Sequence, residues 1–333
     1  MRNVVKTLGT VLLLCTASCT GTGEIGDGSK SDTGNNGGGD NNGGDDNNGG
    51  GGEEPGGGEN PQPPPPSATC TNDKFGIKQI YCTKPGGDEW FINMDNPEEN
   101  TDRFDPKDQI TRNMDGSWKM RETQVRMNVF TKDGYQQNLI TTYDADELHA
   151  KGYMQSPTDW KNVEITGYIK VNDDGGGDDN FAWYARGGFH GNNAGDGGSG
   201  CEGTCYKGDL YFNGETRIAK EQWHNTGYAY TSTKDAQRGS IVGKWVGFKT
   251  VIYNSADNNG VHVEMYADWD DNNTWTKIDE TFDNGGFGNE GDHCNGAGDQ
   301  PVTWGGPVAT FRWDTAEDVD FKNLSVREIT PPQ

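Results

Sequence analysis

From Trp118 onward, apolar side chains recur at every second position in run after run, and Gly, Asn and Asp separate the runs. Val163, Ile165, Ile169 and Val171 alternate with Glu164, Thr166, Tyr168 and Lys170. Phe181, Trp183 and Ala185 alternate with Ala182, Tyr184 and Arg186, and Val261, Val263, Met265 and Ala267 with His262, Glu264, Tyr266 and Asp268. A period of two puts successive side chains on opposite faces of an extended chain, so each run buries one face and leaves the other polar. Residues 118–130, 244–253, 274–282, 308–313 and 319–329 read as further strands, and no segment sustains a helical period. Many antiparallel strands joined by polar turns predict an all-β domain, a sandwich or jelly roll of two antiparallel sheets.

The first 69 residues have no part in that core. Met1, Arg2 and Lys6, then the apolar run Val11 to Leu14, then Thr16, Ala17, Ser18 and Cys19 form a short basic region, an apolar stretch and small residues before a cysteine. The stretch is too short for a membrane span and reads as an export signal. It resembles a bacterial lipoprotein signal, which implies removal of residues 1–18 and lipidation of Cys19. Residues 19–69 are Gly, Asn, Asp and Glu repeats ending in Pro63 to Pro66, a composition with nothing to bury that predicts a disordered linker. Residues 70–333 are expected to form one domain on a bacterial cell surface or outer membrane, held to the membrane through a lipid anchor only. The chain carries a formal charge of −24, and residues 70–333 hold 25 Lys and Arg against 43 Asp and Glu, or −18. That balance excludes nucleic acid as a partner, because phosphate neutralisation needs a basic face. A monomer is expected.

Oxidising conditions outside the cell make disulfides the default for the cysteines of the domain. Cys70 and Cys82 close a short loop at its start and are expected to pair. Of Cys201, Cys205 and Cys294, the expected pair is Cys201 with Cys294, tying two glycine-rich loops; Cys201 with Cys205 is the alternative. The CEGTC spacing suits zinc, but no second Cys or His pair stands at matching spacing.

The order of segments SPTDWKNVEITGYIKV, GKWVGFKTVIYN, VHVEMYADWDDNNTWTKIDE and ATFRWDTAEDVDFKNLSVREI resembles the concanavalin A-like jelly-roll superfamily. That superfamily includes family 16 glucanases, family 7 alginate lyases and lectin domains. The resemblance implies a sheet whose polar face takes a sugar chain, and a structural calcium ion as the expected cofactor.

Within 118–130, Glu122, Gln124, Arg126 and Asn128 share one strand parity opposite Val125, Met127 and Val129. The row is similar to the Arg-x-Glu-x-Arg strand of family 7 alginate lyases, with Glu122 at the first of those positions. A second cluster is KEQWHNTGYAY, where Lys220, Gln222 and His224 share a parity and Tyr228 follows; a third is ARGGFHG, with Arg186 and His190 beside glycines. A uronic-acid polymer is cleaved by β-elimination when its carboxylate is neutralised, a base removes the adjacent proton and an acid protonates the leaving oxygen. Arg126 and Gln124 are assigned to the carboxylate, His224 to the base and Tyr228 to the acid. Glu122, Asn128, Arg186, His190, Lys220 and Gln222 are expected to contact the polysaccharide. The alternative is a lectin-like protein that binds a glycan without cleaving it.

Glycoside hydrolysis of the family 16 type needs a Glu-x-Asp-x-x-Glu strand, and no glutamate here starts that pattern. Asp268, Asp270, Asp271, Asn272 and Asn273 lie between two strands and read as a hairpin turn, with calcium as the rival occupant. Trp160, Trp223, Trp269 and Trp275 are available to stack on sugar rings or to fill the core.

Overall fold

A computed structural model of the 333-residue chain shows where the alternating faces go. It describes residues 70–99, 102–132, 159–187, 205–221, 227–288, 292–293, 296–297 and 299–332. The signal, the linker, His190, Cys201, Gln222, Trp223, His224 and Cys294 lie outside these, as does the side chain of Cys205.

The described strands begin with β1 (Glu89–Phe91), β2 (Phe104–Asp105), β3 (Thr111–Arg112), β4 (Trp118–Met120), β5 (Val125–Phe130) and β6 (Val163–Asp173). There follow β7 (Asn180–Gly187), β8 (Cys205–Tyr211), β9 (Glu215–Glu221), β10 (Tyr228–Tyr230), β11 (Lys234–Asp235) and β12 (Val246–Asn254). The last are β13 (Val261–Asp268), β14 (Thr276–Asp283), β15 (Asp292–His293), β16 (Gly296–Ala297), β17 (Val308–Trp313) and β18 (Asp318–Glu328). The described residues include no helix, and none of their segments is a helix long and apolar enough to cross a membrane. The first sheet runs β14-β13-β12-β6-β18-β4-β3, with β1 also paired to β18. The second runs β10-β9-β8-β7-β17-β5-β2, with β11 also paired to β9, and β15 and β16 form a separate hairpin. Every one of these pairings is antiparallel, so the domain is the expected all-β sandwich of two antiparallel sheets.

The period-two apolar rows meet between the sheets. β17 turns Ala309, Phe311 and Trp313 inward, and β6 contributes Val163, Ile165, Ile169 and Val171; all are buried. Trp183 of β7 joins the two layers: its ring meets Phe311 edge-on at 4.7 Å and lies 5.5 Å from Phe248 of the opposite sheet. Its indole N–H donates to the Phe248 carbonyl at 3.2 Å, so the polar end of a buried ring is satisfied. Gly208, at the centre of β8, lets the layers close up, since a Cβ there would stand 2.6 Å from Thr250 Oγ1 and 2.8 Å from Met265 Cγ.

The first sheet is covered on its outer face as well. The Cys70–Cys82 disulfide forms as expected, with the Cα atoms 4.9 Å apart. The chain around Cys82 then lies on that sheet. Ile80 N–H donates to Glu164 Oε2 at 3.0 Å, and the Tyr81 hydroxyl donates to Glu264 Oε2 at 3.0 Å. Beneath it Glu164 is fully buried and pairs with Lys249 at 2.6 Å and Arg327 at 2.9 Å. Residues whose parity marks a solvated face are thereby sealed in, which is why they carry a charge network.

Segment 118–130 departs from expectation. It is two strands, β4 in the first sheet and β5 in the second, and residues 121–124 cross between them. Gln124 turns the corner with φ of +63° while its N–H donates to the Asp314 carbonyl at 3.1 Å. Glu122 and Gln124 are therefore exposed at a crossing and do not continue the row of Arg126 and Asn128.

Candidate functional site

With the first sheet sealed, the face that gathers polar side chains is the outer face of the second sheet. Register fixes its rows. Arg126, Arg312, Ala182, Asp209 and Arg217 stand side by side across β5, β17, β7, β8 and β9. The next row is Asn128, Thr310, Tyr184, Lys207, Ala219 and Tyr230, reaching β10. Tyr228 pairs with Glu221, so it lies on the same face one step further along β10.

Ion pairs and rings knit the rows together. Asp314 takes Arg126 at 2.5 Å on one oxygen and the Arg312 guanidinium at 2.6 Å on the other. Arg312 Nη1 then donates to the Tyr228 hydroxyl at 3.2 Å. Burial works against the Arg312 charge, but Tyr184, Tyr228 and Asp314 outweigh it and hold the guanidinium protonated. Lys207 sits 4.2 Å from the centre of the Tyr228 ring, and the Arg217 guanidinium 3.7 Å from that of Tyr230, both within cation–π range. Asp209 is fully buried among them, 3.5 Å from Lys207 Nζ and 3.8 Å from Arg217 Nε. Burial raises its pKa, and Lys207, Arg217 and Arg312 oppose that only in part. Four cations, Arg126, Lys207, Arg217 and Arg312, thus meet three carboxylates, Asp209, Asp314 and Glu221, on one face of a domain whose formal charge is −18.

Of the expected catalytic residues, Arg126, Tyr228 and the backbone of Gln124 converge on the Arg312–Asp314 pair. His224 lies outside the described residues. Asn128 belongs to the face but is buried, and its Oδ1 accepts from Thr310 Oγ1 at 2.9 Å.

Two expected polysaccharide contacts belong instead to the interior. Lys220 shares its parity with Ile218, and its buried ammonium reaches Asp283 at 2.7 Å and the carbonyls of Phe287 and Gln300 at 2.6 Å. Arg186 sits at a bulge against β17, where a φ of +78° turns the side chain inward. Its guanidinium donates to the Lys161 and Val302 carbonyls at 2.8 and 2.6 Å and is fully buried. Glu122 remains exposed at the crossing, and His190 and Gln222 lie outside the described residues. Trp160 is buried and donates to the Val129 carbonyl, and Trp275 packs on Tyr168.

The acidic turns at 268–273 and 172–180 use their carboxylates within the turn. Asp268 accepts from the Tyr168 hydroxyl and from the N–H groups of Asn272 and Asn273, so its carboxylate closes the hairpin turn. Asp173 and Asp174 close the 172–180 turn in the same way, accepting from Gly175 and Gly176 N–H. Among the described residues no group of three His, Cys, Asp or Glu side chains is arranged to hold a metal ion.

No protein-family model matches the chain, and no curated protein does. Solved structures similar to it include the GlcNAcα1-4Gal-releasing endo-β-galactosidase from Clostridium perfringens, at 12% identity and a TM-score of 0.41 over 75% of this chain. The chain spans 64% of that enzyme's length. The VIP36 exoplasmic domain is similar at 11% identity and a TM-score of 0.36, over 73% of this chain and 90% of that one. Winged bean acidic lectin is similar at 8% identity and 0.37, over 73% of this chain and all of that one.

Proposed function

We propose that the outer face of the second sheet takes a uronic-acid-containing polysaccharide and cleaves it by β-elimination, on a protein exported and held at the cell surface through Cys19. The observation that carries this reading is the Arg126–Asp314–Arg312–Tyr228 chain of contacts, with a phenol oxygen 3.2 Å from a guanidinium nitrogen. Guanidinium groups beside the scissile unit neutralise its carboxylate, which acidifies the proton on the neighbouring carbon. His224, three residues past the end of β9, is assigned to remove that proton. The electron pair forms the new carbon–carbon double bond, the glycosidic carbon–oxygen bond breaks, and Tyr228 gives its proton to the leaving oxygen. Lys207 and Arg217 add positive charge along the same rows.

The test follows the ultraviolet absorbance of the unsaturated uronate product with a panel of uronic-acid and neutral polysaccharides. One polymer is expected to give a rise. Tyr228→Phe and His224→Ala should each lower turnover by at least about 100-fold, the usual scale for losing a general acid or base. Full turnover in both variants would overturn the assignment. A second reading, a lectin-like protein, is favoured by Tyr230: it is 44% exposed, and Arg217 backs its ring as a platform for a sugar. Retardation of the protein in a gel containing the polymer, with no absorbance change, would decide for that reading.

A further inference from the structure

A pocket of about 380 Å³ opens at the end of the first sheet, away from the rows described above. Lys161 and Asn162, just before β6, line it with Asn254 to Ala256 at the end of β12, Asn258, and Pro331 and Pro332 beyond β18. Its charges are unbalanced. Arg186 passes behind it, fully buried, and its guanidinium donates to the carbonyls of Lys161 and Val302 and to Asn162 Oδ1, all neutral acceptors. Among the described residues no carboxylate pairs with Arg186, and none pairs with Lys161. Lys84, the third cation of the group, has Glu328 at 3.1 Å. Burial, then Arg186 and Lys84, weaken the hold of Lys161 on its proton. Two adjacent cations without a counter-ion are unusual where 43 acidic side chains are available, because a half-buried charge is costly until it is paired.

The wall gives a second, independent sign. Asn254 is buried, and its Nδ2 donates to Asn258 Oδ1 and to the Thr303 carbonyl, while its Oδ1 receives no hydrogen bond. An acceptor left over asks for a donor such as a hydroxyl, which sulfate and chloride lack. The volume also far exceeds either ion. Carboxamides and two proline rings line a space of the size that one sugar ring needs.

We propose that this pocket binds a small hydroxylated carboxylate, a sugar acid, with Lys161 as its counter-charge. The site is separate from the outer face of the second sheet, and its existence does not depend on the lyase reading.

The test is calorimetric titration of the full chain with sodium glucuronate at constant ionic strength, with glucose, sodium sulfate and sodium chloride as comparators. Saturable binding of glucuronate is expected, at least 10-fold tighter than any comparator. Lys161→Met should weaken it at least 10-fold and Lys161→Arg less than 3-fold. Without ligand, Lys161→Met should melt at or above the wild-type temperature, because it removes an uncompensated charge, and that keeps misfolding from imitating lost binding. No saturable heat, or binding that survives Lys161→Met, would overturn the proposal. Sulfate binding as tightly as glucuronate would overturn the sugar-acid assignment. Binding lost only in Arg126→Ala would place the acid on the second sheet and remove the pocket from consideration.

Discussion

Side-chain parity and backbone angle decide what each charged residue does. Lys220 keeps the parity of Ile218 and becomes a buried strut, held by Asp283, which also accepts from the Tyr206 hydroxyl at 2.5 Å. Removing one partner leaves the other charge stranded in low dielectric. Asp283→Ala should therefore cost about 3 to 5 kcal/mol in denaturant unfolding, and adding Lys220→Met should recover part of that loss. Asp320 supplies a pH dependence. Burial opposes its charge, but hydrogen bonds with Lys119, Asn172, Asn113 and Lys170 outweigh it and hold the carboxyl down at about 2. A pKa lower in the folded state than in the unfolded chain gives stability that is present above about pH 4 and fades as pH falls toward 2. Asp320→Asn should thus lower stability by about 1.5 to 3 kcal/mol at neutral pH, the scale of charged hydrogen bonds, and the difference from wild type should shrink as pH falls through about 2 and be gone below it. Arg126 was singled out by strand parity and Tyr228 by its place in the KEQWHNTGYAY segment, and both lie on the outer face of the second sheet. Arg312 was equally legible, opposite Phe311 and Trp313 in VATFRW, but is recognised only once register sets it beside Arg126.

Whole strands were readable where an unbroken row of apolar residues faces the core. Residues 308–313 were read to the residue, and 163–171 and 261–267 within a few positions. β8 and β9 escaped, because CYKGDLY carries a central glycine and two charges, and ETRIAKE is rich in residues that favour helix. What holds them in the sheet is nonlocal. Gly208 admits the opposite layer, and Lys207, Asp209 and Arg217 find one another across strands. Gly208→Val should overpack this contact and cost at least about 1 to 3 kcal/mol, read from the denaturation midpoint. The 118–130 segment misled for another reason: periodicity gives no sign of where a strand leaves one sheet for the other, and that corner depends on Gln124 and the Asp314 carbonyl. At the N-terminal edge, replacing Cys70 and Cys82 together by Ser should cost about 3 kcal/mol, measured by chemical denaturation, and should loosen the cover over Glu164.

For the molecule as a whole, charge segregation is the organising fact. The 43 acidic side chains of residues 70–333 give the domain a strongly negative balance, yet Arg126, Lys207, Arg217 and Arg312 collect on one face. On the proposed reading, a polyanion docking there would gain short-range contacts against a long-range repulsion. Raising ionic strength from about 0.01 to 0.15 M shortens the screening length from about 30 to 8 Å. The polymer should therefore bind the chain with an unusually flat or even rising salt dependence, checked by affinity measurements across that range. The fold class was readable in full, whereas the site was readable only in part, because composition averages over the segregation that makes it.

The covalent loop at the start of the domain also sets how the protein answers a pull. Tension applied at Cys70 passes through the sulfur bridge to Cys82 and then to the neighbouring chain, where Cys82 O accepts from Thr330 N–H and Thr83 bridges to Ile329. The residues between the two cysteines lie outside that covalent path, held to the first sheet through Ile80 and Tyr81. In a single-molecule stretching experiment they stay out of the force–extension curve until a reductant opens the bridge, and then release roughly 35 Å of hidden slack, the reach of that length of extended chain.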